Sequence, residues 1–563
     1  MKSLSKIKDL SFAQVVLYAS LWCVGVFHEY LSCLLSVVLL IWLGLHLRRT
    51  RRLTVSVTMT AIAAAVLILG YALSPLWAVD GGEAVFGFYK FLPIPLYLLV
   101  LMQQPQGRER AMAGLPYMLT VTTVISVGLM YIPGLETYFA VAGRLSGPLQ
   151  YPNTFAALLL VAELLLLTKD KWRWWDFGCI AVLLFGILYT GSRTVLIVAA
   201  ASNVAALLIN RNKRIRWIAA GGLALGVLAV VGYCAVTGSF DVIGRYLNIT
   251  LNSSTFVGRL LYAYDALPVI LRHPFGLGYM GYYFIQQSIQ TGVYGILYIH
   301  NDFLQFLLDV GWIPCLALVA AIVRSVCSKT LPLRYKLVLL TMAAHSCFDF
   351  DLQYTAVFMV FLLFTDTDAF AQRELKVSKG MRLTTVTVLS VLCLYFGTVK
   401  GLHRFQQYHA VDALYPSATL SQIEIIKASE DMDEITALAD EILDRNEYVA
   451  VAYSVKARDA YRRGDFAKVI QYKKLTMDAA PFSTVECREY AEMLMVGIDL
   501  YEKAGDAKSA QYCKRELVQV ADRIATIDQR VSPLGKKIVE QPGQYLPKSI
   551  KDYVAELKEE GIQ

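Results

Sequence analysis

The sequence predicts an all-α polytopic membrane helix bundle of about 12–13 transmembrane helices, followed by a C-terminal extracytoplasmic helical-repeat domain. Three observations predict it. Of 563 residues, 56% are apolar and only 17% charged, too apolar for an ordinary soluble protein. Apolar runs of about 20 residues, the length that crosses a bilayer, recur from residue 10 to residue 400. Beyond residue 410 the character changes to a charged, helically periodic sequence with an internal echo.

The expected spans lie near 10–27, 30–47, 53–73, 84–103, 112–131, 152–168, 177–192, 194–210, 217–236, 301–323, 337–347, 355–370 and 383–400. Their orientation follows from Lys and Arg. Loops on one side, with Lys2, Lys6 and Lys8, hold 24 basic residues, in clusters such as Arg48 to Arg52, Arg211 to Arg216 and Arg373 to Arg382. The other side holds five: Arg144, Arg193, Arg245, Arg259 and Arg272. The positive-inside rule places the first set in the cytoplasm and sends the C-terminal tail outside. The N-terminus reads as a retained anchor, since its lysines precede an apolar segment that runs on into a second. The net charge of +8 resides largely in the short inner loops, so it is no nucleic-acid footprint. The ten cysteines form no CxxC pair, which indicates neither a zinc site nor a disulfide framework.

Three regions result: a membrane domain over 1–405 with a large outer loop at about 237–300, helical repeats over 410–530, and a tail over 531–563. In the repeats, Tyr461-Arg-Arg-Gly464-Asp465 is echoed by Tyr501-Glu-Lys-Ala-Gly505-Asp506. Each reads as a hairpin turn in which Gly ends one helix and Asp caps the next. The pattern resembles tetratricopeptide repeats, with a plain helical bundle as the alternative.

Scarce outer-face charges are the candidates for chemistry. His300 stands where the long outer loop re-enters the membrane, ahead of Asn301, and suits a general base toward a hydroxyl. Its bland reading is a helix cap or interface residue. Asp309 is a poor partner for it: nine residues of helix turn about 900° and descend about 13 Å, so a link to a neighbouring helix is the better reading. Arg144 precedes Tyr151-Pro152-Asn153, Arg193 follows a Thr190-Gly191-Ser192 turn, and Arg259 and Arg272 share the loop of His300. Arginines converging on that surface suit a diphosphate, though each alone fits a lipid head group or a loop carboxylate equally well. His345, Asp349 and Asp351 lie between two outer helix ends and suit a sugar, the base, or the loop itself. Lys90 and Glu163 are costly in apolar runs unless paired, with each other or toward the same cavity. No P-loop, HExxH or GxSxG motif is present, so the expected site uses no metal and no cofactor, with arginines neutralising charge.

In order along the chain, Gly143-Arg144, Gly147, Asn153, Ser192-Arg193, Gly258-Arg259, His273-Pro274-Phe275-Gly276-Leu277-Gly278 and His300-Asn301-x-x-Leu304 with Asp309-x-Gly311 resemble the O-antigen ligase and O-antigen polymerase superfamily of membrane glycosyltransferases. The likeness covers roughly residues 30–370. It departs where the family usually has Glu in place of Asp309, and in having Tyr262 and Tyr264 where a Trp is expected after the loop arginine. The resemblance implies a glycan on undecaprenyl diphosphate as donor, transferred to a glycan or surface-polymer acceptor. The residues themselves supply the expected roles: His300, Arg193 and Arg259 as catalytic groups, and Arg144, Arg272, Asn153, Asn301, His345 and Asp349 as substrate-binding groups. A protein partner for the repeats is also expected, and no nucleic acid. Two other readings stay open: a lipid-linked glycan flippase, and a membrane-anchored repeat scaffold for surface-polysaccharide assembly.

Overall fold

The computed structural model describes residues 10–210, 212–213, 216–217, 220–222, 224, 254–538 and 546–562. Lys2, Lys6, Lys8, Arg211, Arg214 and Arg245 lie outside the described residues, as do most of the expected span 217–236 and the outer-loop stretch 237–253.

In chain order the first elements are α1 (Phe12–Trp22), α2 (Glu29–Thr50), β1 (Arg52–Val57), α3 (Met59–Leu73), α4 (Gly81–Phe91), α5 (Pro93–Gln103) and α6 (Pro105–Leu129). After them come α7 (Glu136–Phe139), the short strands β2 (Ala140–Val141) and β3 (Arg144–Leu145), and then α8 (Pro152–Leu167), α9 (Trp174–Thr190) and α10 (Arg193–Ile209). Next are α11 (Ser254–Arg272), α12 (Gly281–Ile289), α13 (Asp302–Val310), α14 (Trp312–Cys327), α15 (Leu333–Ser346), α16 (Thr355–Leu362), β4 (Ala371–Lys376) and α17 (Lys379–Arg404). The tail holds α18 (Tyr408–Leu414), α19 (Thr419–Ala428), α20 (Met432–Leu443), α21 (Ala450–Arg462), α22 (Phe466–Ala479), α23 (Thr484–Lys503), α24 (Ala507–Ala525) and α25 (Lys548–Glu559).

Contacts divide the chain into two compact units. The first comprises 1–73, 85–250 and 299–401; the second comprises 74–84, 251–298 and 402–563. The second unit therefore takes in two stretches from the first 300 residues besides the tail.

In the first unit, helices of membrane-crossing length and apolarity make the chain a multi-pass membrane protein. Among the described residues five qualify: Glu29–Thr50, Met59–Leu76, Gly81–Gln103, Pro105–Leu129 and Lys379–Arg404. Phe12–Trp22, Pro152–Leu167, Trp174–Thr190, Arg193–Ile209 and Trp312–Cys327 are shorter apolar helices. At the centre of this unit α8 is buried along almost its whole length, packed against α6, α9, α10 and α15. A helix apolar on every side has no face to give to water, and Pro152-Asn-Thr-Phe-Ala-Ala-Leu-Leu-Leu-Val is such a sequence.

The expected spans 301–323 and 53–73 depart from a single helix. The run 301–323 breaks at Gly311, whose φ of 79° and ψ of −166° no side-chain-bearing residue adopts comfortably. Two helices, α13 and α14, result. The run 53–73 begins as a strand, because Arg52-Leu-Thr-Val-Ser-Val alternates and is β-branched. That strand pairs antiparallel with β4, Arg52 opposite Lys376 and Val57 opposite Ala371, and so joins two basic clusters into one small sheet.

In the second unit the tail forms successive helix pairs. Gly464 (φ 72°) and Gly505 (φ 74°) take the left-handed turn that ends α21 and α23. Asp465 and Asp506 then cap α22 and α24, accepting from the backbone N–H of Lys468 and Ser509 at 3.1 Å each. These are the two turns expected from the echo in the sequence. Phe466, Val469, Tyr490, Leu494, Cys513 and Leu517 are central to the core between them, which reaches Leu546, Ile550 and Leu557 of the C-terminal segment. The same unit ties residues 80–83 to the tail. Asn446 donates to Asp80 (3.2 Å), Tyr415 to the carbonyl of Gly82 (3.0 Å), and the N–H of Leu420 to Glu83 (3.1 Å).

Candidate functional site

Asp349 is the centre of a polar cluster at the helix ends of the first unit. Its side chain is wholly buried. Four donors converge on it: Nδ1 of His300 at 3.1 Å, the Tyr151 hydroxyl at 2.8 Å and the backbone N–H of Phe350 at 3.1 Å meet Oδ1, and the Asn153 amide meets Oδ2 at 2.8 Å. Asn153 continues the chain. Its Oδ1 accepts from Nη2 of Arg144 at 2.8 Å, and Nε of the same guanidinium donates to the carbonyl of Thr190 at 2.6 Å. Thr190 ends α9, Gly191 (φ 63°) turns the chain, and Ser192 caps α10 by accepting from Val195 N–H at 3.4 Å. The turn therefore puts half-buried Arg193 at the first position of α10, three residues from the carbonyl that Arg144 holds.

Local sequence explains each position. Pro152 starts α8 and leaves Tyr151 extended before it, so Tyr151 and Asn153 flank the helix start. His300 precedes Asn301, which caps α13 by accepting from Leu304 N–H at 3.0 Å and donates to the Cys347 carbonyl at 2.9 Å. Both ends of the Asn301 amide are thus engaged by the fold. Asp302 accepts from Leu352 N–H at 2.8 Å, a second tie between the start of α13 and the loop after α15. Phe350 lies between the rings of Tyr151 (centroids 4.8 Å apart) and His300 (5.1 Å), and restricts the imidazole plane.

Nδ1 of His300 faces a carboxylate, which places the ring proton on Nδ1 and makes Nε2 the basic nitrogen. The His300 side chain keeps 22% of its surface exposed, against none for Asp349. A half-open imidazole backed by a buried carboxylate can take a proton from a hydroxyl brought to its exposed side.

The remaining candidates fall elsewhere. His345 is buried, with Nδ1 at 2.5 Å from Asp351, which also accepts from Thr154 at 2.7 Å; this pair ties α15 to α8. Asp309 accepts from Tyr71 on α3 at 2.9 Å and from Gln305 at 2.8 Å, the interhelical link expected of it. Lys90 donates to the carbonyl of Phe27 at 2.8 Å, while Glu163 is enclosed in α8. Arg259, half-buried, and Arg272, exposed, lie on α11 of the second unit. The segment of His345, Asp349 and Asp351 was expected to bind a sugar, assist the base or hold the loop, and Asp349 stands against His300; Tyr151 was not among the candidate site residues. The available signal was the pair of acids in Asp349-Phe-Asp351 between two apolar helices.

The first unit thus defines a multi-pass membrane protein with a histidine–carboxylate cluster at its helix ends. Residues 155–319 match the family model described as O-antigen ligase, under a third of the chain. The matched stretch runs from within α8 into α14 and contains Arg193, Arg259, Arg272 and His300. The match supports a membrane enzyme that transfers glycan. No curated protein matches the chain.

Proposed function

We propose that the protein transfers or polymerises glycan from an undecaprenyl-diphosphate-linked donor onto an acceptor at the outer face of the cytoplasmic membrane. The pairing of His300 with buried Asp349 carries this reading, supported by the family match around it. Nε2 of His300 takes the proton of the acceptor hydroxyl as its oxygen attacks the anomeric carbon. The bond from that carbon to the diphosphate oxygen breaks, and the leaving group departs with the electron pair. Arg193 and Arg259 hold the negative charge that develops on it, and Arg144 and Arg272 position it. A single displacement inverts the anomeric centre. Asp349 holds the imidazole in the tautomer that the step requires. The tail helices, outside the membrane, take a protein partner of the glycan machinery.

The test uses purified full-length protein in nanodiscs with a defined lipid-linked glycan and an acceptor. His300→Ala and Arg193→Ala are each expected to lose about 10²-fold or more of transfer rate. Undiminished transfer in both variants would sink the assignment. The product mass separates the two activities: one added unit means ligase, a ladder means polymerase. Translocation in vesicles without transfer would favour the flippase.

A further inference from the structure

The inner-loop basic residues of the first unit differ in how they are satisfied. Arg108 donates to the carbonyls of Leu363 and Thr365, Lys169 pairs with Asp176 at 2.7 Å, and Arg324 lies 3.6 Å from Asp366. Arg48, Arg51, Lys379 and Arg382 are a contrasting set. Among the described residues no carboxylate pairs with any of the four, and the nearby Glu374 is taken by Arg52 at 2.7 Å. All four line one groove of about 880 Å³ between α2 and α17.

The groove has two chemistries. Its cations occupy the end where α2 stops and α17 starts. Farther along the helices its lining is Ile41, Leu45, Leu383 and Val386. Three of these are conspicuously bare: Ile41, Leu45 and Leu383 are 49%, 52% and 49% exposed. Along the groove the helices come close where a Cβ on Gly44 would stand 3.2 Å from Val386. The β1–β4 sheet sets the spacing of the cationic end. Arg51 ends α2 in the left-handed conformation (φ 56°), its carbonyl accepts from Val377 N–H at 3.2 Å, and the paired strands run from there. Arg51 and Lys379 are therefore held by backbone pairing across the sheet.

We infer that this groove is a binding site for an anionic phospholipid, with the head-group phosphate among Arg48, Arg51, Lys379 and Arg382 and an acyl chain along Ile41, Leu45, Leu383 and Val386. Charge complementarity selects the ligand: four cations with no carboxylate partner among the described residues call for an anion, and the apolar lining continuous with them calls for one that carries a hydrocarbon chain. A soluble phosphate satisfies the first demand and not the second. The basic loops assign this end to the cytoplasmic leaflet, which is where anionic lipids meet polybasic segments.

Native mass spectrometry of the full-length protein, released from nanodiscs of equimolar phosphatidylglycerol and phosphatidylcholine, tests the site. Wild type is expected to retain phosphatidylglycerol over phosphatidylcholine. Each cation neutralised by Arg48→Gln, Arg51→Gln, Lys379→Gln or Arg382→Gln should lower that retention about fivefold. The control Arg49→Gln with Lys171→Gln and Lys329→Gln, outside the groove, should leave it unchanged. Leu45→Asn with Leu383→Asn should weaken lipid retention without changing binding of inorganic phosphate. Single variants keep the test open should a combined variant fail to fold. Equal retention in wild type and the groove variants overturns the proposal. So does displacement of the lipid by millimolar inorganic phosphate, or a lipid-free dimer whose dissociation follows the groove substitutions.

Discussion

Two carboxylates, Asp349 in the first unit and Asp265 in the second, are surrounded by donors in similar number and serve different ends. Asp265 on α11 accepts from Thr291 N–H (2.9 Å), the Thr291 hydroxyl (2.7 Å) and the Tyr294 hydroxyl (3.0 Å). Thr291 continues to the tail: its hydroxyl oxygen lies 3.0 Å from Ser532 Oγ, and its carbonyl accepts from Ser532 N–H at 2.7 Å. Glycines seal the contact, since a Cβ on Gly292 would stand 2.7 Å from the Cα of Gly535. Thr291 and Tyr294 are neutral donors, so the cluster is a latch between α11 and the C-terminal segment. Asp349 differs in a single respect that matters: one of its donors is an imidazole, partly exposed. A buried carboxylate surrounded by neutral donors braces a fold. The same carboxylate behind a partly exposed imidazole fixes the tautomer of that ring.

Substitutions can break this contrast. The largest effect is expected from Asp349→Asn. The volume is unchanged, but the amide no longer favours the Nδ1–H tautomer of His300, and transfer should fall about 10²–10⁴-fold in kcat with little change in KM. An equal loss in KM alone would make Asp349 a binding residue instead. Asp265→Asn should leave kcat within about threefold, because its donors are Thr291 and Tyr294 and not an imidazole. Its cost, about 1–3 kcal/mol for mismatched buried donors, should appear as faster hydrogen exchange in 527–538 and 289–294.

Arg144→Lys is intermediate. It keeps the charge and loses the fork that joins Thr190 to Asn153, so a charged hydrogen bond of about 1.5–3 kcal/mol goes and transfer should drop roughly tenfold. If Arg144 only screens charge, the lysine variant will match wild type.

The smallest effect lies in the tail, around Glu489. Burial works against its carboxylate, but Arg458 (2.7 Å) and Lys473 (2.7 Å) outweigh it and hold the group below the ordinary carboxyl range. A depressed carboxyl contributes stability above the unfolded value of 4.5, and that contribution is lost as pH falls through the lower folded value. Glu489→Gln should therefore speed hydrogen exchange in α21–α23 at neutral pH, with the gap from wild type closing as pH drops below 4.5. A gap that stays constant down to acid pH would remove the ion pair from the account.

Much of this was legible along the chain, for definable reasons. The membrane helices follow from runs of apolar residues, and the hairpin turns from Gly464-Asp465 and Gly505-Asp506, because both are local signals: a helix must satisfy its own backbone, and a left-handed turn needs glycine. His300, Arg193 and Arg144 stood out because charge is scarce beside apolar runs. The strand over 52–57 did not stand out, since its partner lies more than 300 residues away and a strand exists only when paired.

The sequence by itself determined which segments are apolar enough for the membrane, where helices stop, and which titratable groups are candidates for chemistry. Only the tertiary structure decided which of them meet. His300 and Asp349 are 49 residues apart, and Tyr151 and Asp349 are 198 apart, with several helices between them. Periodicity carries no information across such gaps, because the contact is set by how α8, α13 and α15 are packed. The same reason explains why Asp309, nearer to His300 in the chain, turned to Tyr71 while Asp349 took its place beside the histidine.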